Sequence, residues 1–142
     1  MTLGDLATIH ASCFTHPRPW GSTEFTELLT DPANFLITRQ QAFVLGRSVL
    51  DEAELLTIAV SPEARRRGLG HTLLAAFETM AMSRNAITAF LEVAADNIPA
   101  LTLYDQAGWQ SAGCRRNYYG HGTDAVVMCK NLQAASSLGK PR

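Results

Sequence analysis

Between Leu55 and Phe77 an apolar, β-branched run (Leu55, Leu56, Ile58, Val60) breaks at Ser61-Pro62 and passes through Arg65-Arg66-Arg67-Gly68-Leu69-Gly70. Leu69, Leu73, Phe77 and Met80 then follow at helical spacing. This is a strand, a glycine-bearing turn and a helix, and it commits its surroundings to an α/β arrangement. Gly68 and Gly70 lack Cβ atoms, so backbone N–H groups there can come close to a ligand. The helix start adds unsatisfied donors and the positive end of its dipole. Such a corner binds anions, phosphates above all. Gly70 is followed by His71-Thr72 rather than by lysine and Ser/Thr, which argues against a nucleotide triphosphatase. Taken alone, the motif fits a pyrophosphate held by backbone donors and a plain β-to-α turn with surface arginines about equally well.

The remaining elements follow by periodicity. Asp5 to Phe14 reads as a first helix, and a second is expected from an N-cap at Ser22 through Leu28 and Leu29 to Asp31-Pro32. Asn34 to Thr38, Ala42 to Leu50 and Glu54 to Val60 are predicted strands, joined closely enough for antiparallel hairpins. The central helix covers about Leu69 to Met82, and Ala86 to Val93 reads as a strand covered on both faces. A helix capped at Asp96 or Asn97 runs to Gly108, and strands are expected over Trp109 to Tyr118 and Thr123 to Asn131. The order is ααβββαβαββ: an α/β fold, with a parallel crossover inside a mixed central sheet and helices on both faces. At 142 residues the chain fits one domain, assigned to 1–132, and the polar stretch 133–142 reads as a disordered tail.

Composition narrows the function. With 46% hydrophobic and 18% charged residues, and 12 basic against 13 acidic side chains, nothing draws the chain toward nucleic acid or an anionic membrane. Three adjacent arginines without interleaved aromatics are poor support for a nucleic-acid surface. No apolar run approaches the roughly 20 residues that cross a bilayer, and no secretion signal opens the chain, so a cytoplasmic protein is expected. Cys13, Cys114 and Cys129 form no CxxC pair and are expected as reduced, buried thiols. His10, His16, His71 and His121 have no ligand spacing, and no metal site is expected.

The ordered set of motifs resembles the Gcn5-related N-acetyltransferase (GNAT) family, and within it the RimI-type branch, over about residues 5 to 131. The family's pyrophosphate pattern, Arg/Gln-x-x-Gly-x-Gly/Ala, falls on Arg65, Gly68 and Gly70. Leu91-Glu92-Val93, Asn97, Ala100-Leu101, Leu103-Tyr104 and Gly108-Trp109 are similar to the second half of the family core. Pro19-Trp20 and Arg115-Arg116-Asn117-Tyr118-Tyr119 are similar to the RimI branch. Three departures stand out: only Met1 to Gly4 are available for the family's first strand, expected to be short or missing, Ala94 stands where an arginine is usual, and Trp109 stands where phenylalanine is common.

The resemblance implies acetyl transfer from acetyl-CoA to an amine, the pantetheine arm lying between strands 54–60 and 86–93. Cofactor contacts are implied for Ile58, Val60, Arg65, Arg66, Arg67, Gly68, Leu69, Gly70, His71, Asn97 and Tyr104. Aminolysis of a thioester needs a neutral amine, a place for developing negative charge and a proton for the departing thiolate. Tyr104, seven residues after Asn97, is the candidate acid, against a plain core tyrosine. Glu92, at the end of an apolar strand, is the candidate base, acting directly or through water, against a solvated carboxylate. Trp20, Glu92, Tyr118 and Tyr119 are the candidate acceptor-site residues, against ordinary packing aromatics in the case of the tyrosines. Asn97 suits an N-cap equally well. The expected partner is an acceptor peptide or protein N-terminus, with the enzyme a monomer or weak homodimer. Acetylation of a small amine or antibiotic, and a non-catalytic acyl-CoA-binding module, are the alternatives, since a fold does not fix its substrate.

Overall fold

The computed structural model describes residues 1–14, 19–115 and 122–133. Tyr118, Tyr119, the Pro17–Arg18 part of the first turn and the stretch 134–142 lie outside them. Helix α1 (Leu3–Cys13) opens with a capping box, in which the Thr2 hydroxyl accepts the Asp5 N–H at 3.1 Å and the Asp5 carboxylate accepts the Thr2 N–H at 2.8 Å. With Thr2 as the cap, no described residue forms a strand ahead of α1. Helix α2 (Ser22–Thr30) is capped by Gly21 rather than Ser22, because Glu24 reaches back to the Gly21 N–H at 3.2 Å and draws the start forward by one residue.

Strands β1 (Asn34–Arg39), β2 (Ala42–Val49) and β3 (Glu52–Val60) form an antiparallel meander. A short 3-10 turn at Pro62–Ala64 leads to α3 (Leu69–Ser83), which returns the chain to β4 (Thr88–Ala94), parallel to β3. After α4 (Ile98–Gln106), β5 (Gln110–Arg115) and β6 (Ala125–Asn131) complete a six-stranded sheet of order β1-β2-β3-β4-β6-β5. The two sheet faces carry separate cores. On one, α3 buries Leu73, Leu74 and Phe77 against Val44, Ala53, Leu55, Ala89 and Leu91, with Tyr104 and Trp109 from the α4 side. On the other, Leu6 and Ile9 of α1 and Phe25 of α2 pack on Phe43 and Ala59.

None of the three cysteines is fully buried, contrary to expectation. Cys114 is exposed because β5 is the edge of the sheet, and Cys13 and Cys129 are half-buried. All three are free thiols.

Candidate active site in a slot through the sheet

The site is made by a strand pair that stops pairing. β3 and β4 share three register pairs, Glu52 with Thr88, Ala53 with Ala89 and Glu54 with Phe90, whereas β4 pairs along its whole length with β6. Beyond Glu54 the two strands diverge. The cause is visible on the other edge of β3, where Leu45 faces Thr57 but Gly46 faces Leu55, so Leu56 is an extra residue. A bulge of this kind bends its strand and reverses the alternation of side chains. Ahead of it Ala53 and Leu55 belong to the α3 core; after it Ile58 and Val60 do, and Ala59 has turned to the α1–α2 side, which by alternation is the side of Thr57 as well.

A cavity of about 280 Å³ occupies the gap. Its walls are Glu54 to Ile58 of β3 and Glu92 to Ala94 of β4. On one face it is closed by Asn97, Ala100 and Tyr104 around α4, and on the other by His10, Phe14 and Trp20. The slot therefore passes from one face of the sheet to the other. Leu91 and Val93 pack in the α3 core with Tyr104, so by strand alternation Glu92 turns toward α1 and α2. The half-buried Glu92 and the 4% exposed Tyr104 thus flank the gap from opposite faces. Asn97 lines the slot too, but its side chain also accepts the Ala100 N–H at 3.3 Å, so the capping role is made in full.

At the mouth near α3, Arg66 and Gly68 both take left-handed backbone (φ 67° and 71°), which folds the turn back into the helix. The first helical bonds of α3 run from the Thr72 N–H and hydroxyl to the Gly68 carbonyl, both at 3.0 Å, leaving the N–H groups of Leu69, Gly70 and His71 without intrahelical acceptors. A Cβ on Gly68 would meet nothing within 4 Å, whereas one on Gly70 would sit 3.3 Å from Leu103 of α4. The two glycines therefore differ: Gly68 keeps an open backbone corner, and Gly70 admits α4. Arg66, Arg67 and His71 are exposed. Arg65 folds back, donating through Nε to the Val60 carbonyl at 3.1 Å and lying 3.6 Å from Cys13 Sγ, and Arg67 donates to Gln40 at 3.3 Å.

His10 was not among the expected site residues. Its imidazole is buried, its Nδ1 accepts the Trp20 N–H at 3.1 Å, and the Trp20 ring stacks on it at 4.7 Å. Burial pushes its pKa down to about 4, Glu24 opposing. A signal was present: His10 falls on the apolar stripe of α1 with Leu6, Ile9 and Cys13. Among the described residues no three His, Cys, Asp or Glu side chains gather as a metal site, and no helix is long and apolar enough to cross a membrane.

A sheet split between its parallel strands, with a glycine turn and free helix N–H groups at one end of the split, is the setting for an acyl-CoA-dependent transferase, and the chain belongs to the GNAT acetyltransferase family, whose model matches residues 5–109. It is an acetyl-CoA-dependent N-acetyltransferase. Its relatives include the [ribosomal protein bS18]-alanine N-acetyltransferase of Escherichia coli, 36% identical over 129 residues that cover 86% of this chain and 87% of that one. The Salmonella typhimurium protein of the same name is 45% identical over 94 residues, 63% of either chain. The crystal structure of the E. coli ribosomal-protein-S18-alanine N-acetyltransferase superposes with a TM-score of 0.79 at 34% identity, covering 92% of this chain and 87% of that one.

Acetyl-CoA fits the residues present. The corner at Gly68 and the first-turn N–H groups of α3 suit its pyrophosphate, and the strand edges left open beyond Glu54 suit the amides of its pantetheine arm.

Proposed function

We propose that this chain acetylates the N-terminal α-amine of a cytoplasmic protein, with the N-terminal alanine of ribosomal protein bS18 as the acceptor by analogy with its relatives. The observation that carries this is the slot, which offers a carboxylate on the α1–α2 face and a phenol on the α4 face of one gap. Acetyl-CoA supplies an acetyl group activated as a thioester. Glu92, directly or through water, takes the proton that the acceptor amine must lose to attack. Tyr104 stabilises the departing sulfur by hydrogen bonding and donates the proton that restores the thiol; a free phenol titrates at about 10 and a free thiol at about 8.5, so the transfer relies on close placement. Trp20 walls the acceptor face, and one of Tyr118 and Tyr119, which lie outside the described residues, is assigned to the same acceptor site from the resemblance alone.

Proton affinities favour an α-amine. Its pKa is about 8 against about 10.4 for lysine, so near pH 7 the neutral fraction of the former is larger by a few hundred-fold. A lysine acetyltransferase must recover that factor by desolvating the ammonium or by a stronger base. The test compares a lysine-free peptide beginning with alanine against the same peptide blocked at its N-terminus and carrying one internal lysine. Faster acetylation of the blocked peptide overturns the α-amine assignment and promotes lysine or small amines as acceptors.

A further inference from the structure

On the α1 side the slot ends at a histidine to which the chemistry above gives no role. His10 is 1% exposed, yet its ring borders the cavity. Because Nδ1 accepts the Trp20 N–H, the proton of the neutral imidazole sits on Nε2. No described residue accepts from that Nε2–H. Thr57, 6% exposed, lines the same cavity and is turned to the same face by the bulge at Leu56. Burial holds the imidazole uncharged at neutral pH, so it does not repel an incoming ammonium.

We propose that the His10 Nε2–H, together with the Thr57 hydroxyl on the same face, is a hydrogen-bonding subsite for the first carbonyl oxygen of the acceptor peptide. The inference rests on the α-amine reading. In such an acceptor the first carbonyl carbon stands two bonds from the reacting nitrogen. With that nitrogen at Glu92, the chain behind it must leave through the α1–α2 face, where these two donors lie. A lysine side chain or an alkylamine brings only methylenes to that place, leaving the buried donors unpaired, and a site built around a hydrogen bond discriminates against such ligands. The pair therefore reads the amide next to the amine, whatever the identity of the first side chain.

The test uses a peptide beginning with alanine and its analogue in which the first carbonyl is reduced to a methylene, each rate taken per neutral amine from its pH profile. The readout is the ratio of kcat/KM for the two acceptors. His10→Asn keeps an acceptor for the Trp20 N–H but stops short of the slot, and the ratio falls roughly 5- to 10-fold, the size of one neutral hydrogen bond, mostly through KM. His10→Gln returns an N–H near the lost one and restores the ratio. An unchanged ratio in folded His10→Asn overturns the subsite, as does an equal loss on both acceptors, which means the histidine only holds Trp20. Thr57→Val reads the same ratio without touching the Trp20 contact, and no change there overturns the part given to Thr57. A wild-type enzyme that leaves both α-amines unmodified while acetylating a blocked lysine peptide overturns the α-amine reading itself, and the subsite with it.

Discussion

Single atoms decide much of the proposed chemistry, and single-atom substitutions test it. Tyr104→Phe keeps the ring that packs 6.1 Å from Trp109 and removes only the hydroxyl. We expect turnover to fall about 10²-fold with acetyl-CoA affinity nearly unchanged, and full turnover under conditions where chemistry is limiting removes the proton-donor role. Glu92→Gln should lose most at low pH and progressively less as pH rises, since solvent then deprotonates the amine unaided; a deficit constant with pH marks positioning instead of base catalysis. His10 makes a separate, thermodynamic prediction. Its folded pKa of about 4 lies below the ordinary 6.5, so between those values the unfolded chain binds the extra proton. Stability from this group is complete above pH 6.5 and is lost as pH falls toward 4, by up to about 3 kcal/mol. Melting temperatures measured from pH 7 to 4.5 should therefore fall more steeply for wild type than for His10→Phe, and parallel curves refute it. Glu92 stood out in the sequence as an acid at the end of an apolar strand, and Tyr104 because the family pattern that the chain resembles places its acid seven residues after Asn97. For His10 the apolar stripe of α1 announced burial but not a place at the slot, because its surroundings come from α2, β3 and the segment around Trp20, which no local pattern brings together.

Whole elements were legible where periodicity was strong. β1, β2, α3 and α4 were expected within a residue or two of where they lie, since each has an apolar stripe and a definite breaker. The one-residue error at the start of α2 came from a side chain at the third helical position outcompeting the hydroxyl of Ser22. The bulge at Leu56 was not legible, because the run from Leu55 to Val60 is apolar but for Thr57 and carries no regular alternation for a bulge to break. The glycines of the turn were read as equivalent, and packing separates them. Gly70→Val forces side-chain atoms into Leu103 and pushes α4, with Asn97 and Tyr104, away from the slot. We expect lower turnover and about 1–3 kcal/mol of lost stability, with Leu103→Ala in the same chain recovering much of the stability. A Gly70→Val protein of unaltered melting temperature contradicts the packing role.

Across the molecule, the farther half is fastened by a buried polar cluster that no motif announced. Lys130 of β6 donates to Glu78 of α3 at 2.8 Å and to the Ala107 carbonyl at 2.7 Å, while Glu78 accepts the Trp109 indole N–H at 3.2 Å. Lys130→Met strands a buried carboxylate and should cost about 3–5 kcal/mol; adding Glu78→Gln, which removes the charge and keeps an acceptor for Trp109, should return most of it. Denaturant titrations giving additive losses would contradict the coupling. The same long-range pairing, across 52 residues, explains why this cluster was invisible in the sequence although the elements that carry it were expected. The three shared pairs of β3 and β4 have a further consequence. They make the sheet two three-stranded leaves hinged along one short seam, with a strand border on each side of the opening. Elsewhere such a border recruits a neighbouring molecule's strand. Here the fit is to the acetyl donor, whose amides would complete the weave for as long as it stayed. Each turnover would then be a cycle of mending and unpicking the sheet, and the amide hydrogens of Ile58 to Val60 should exchange with solvent more slowly when the donor is bound.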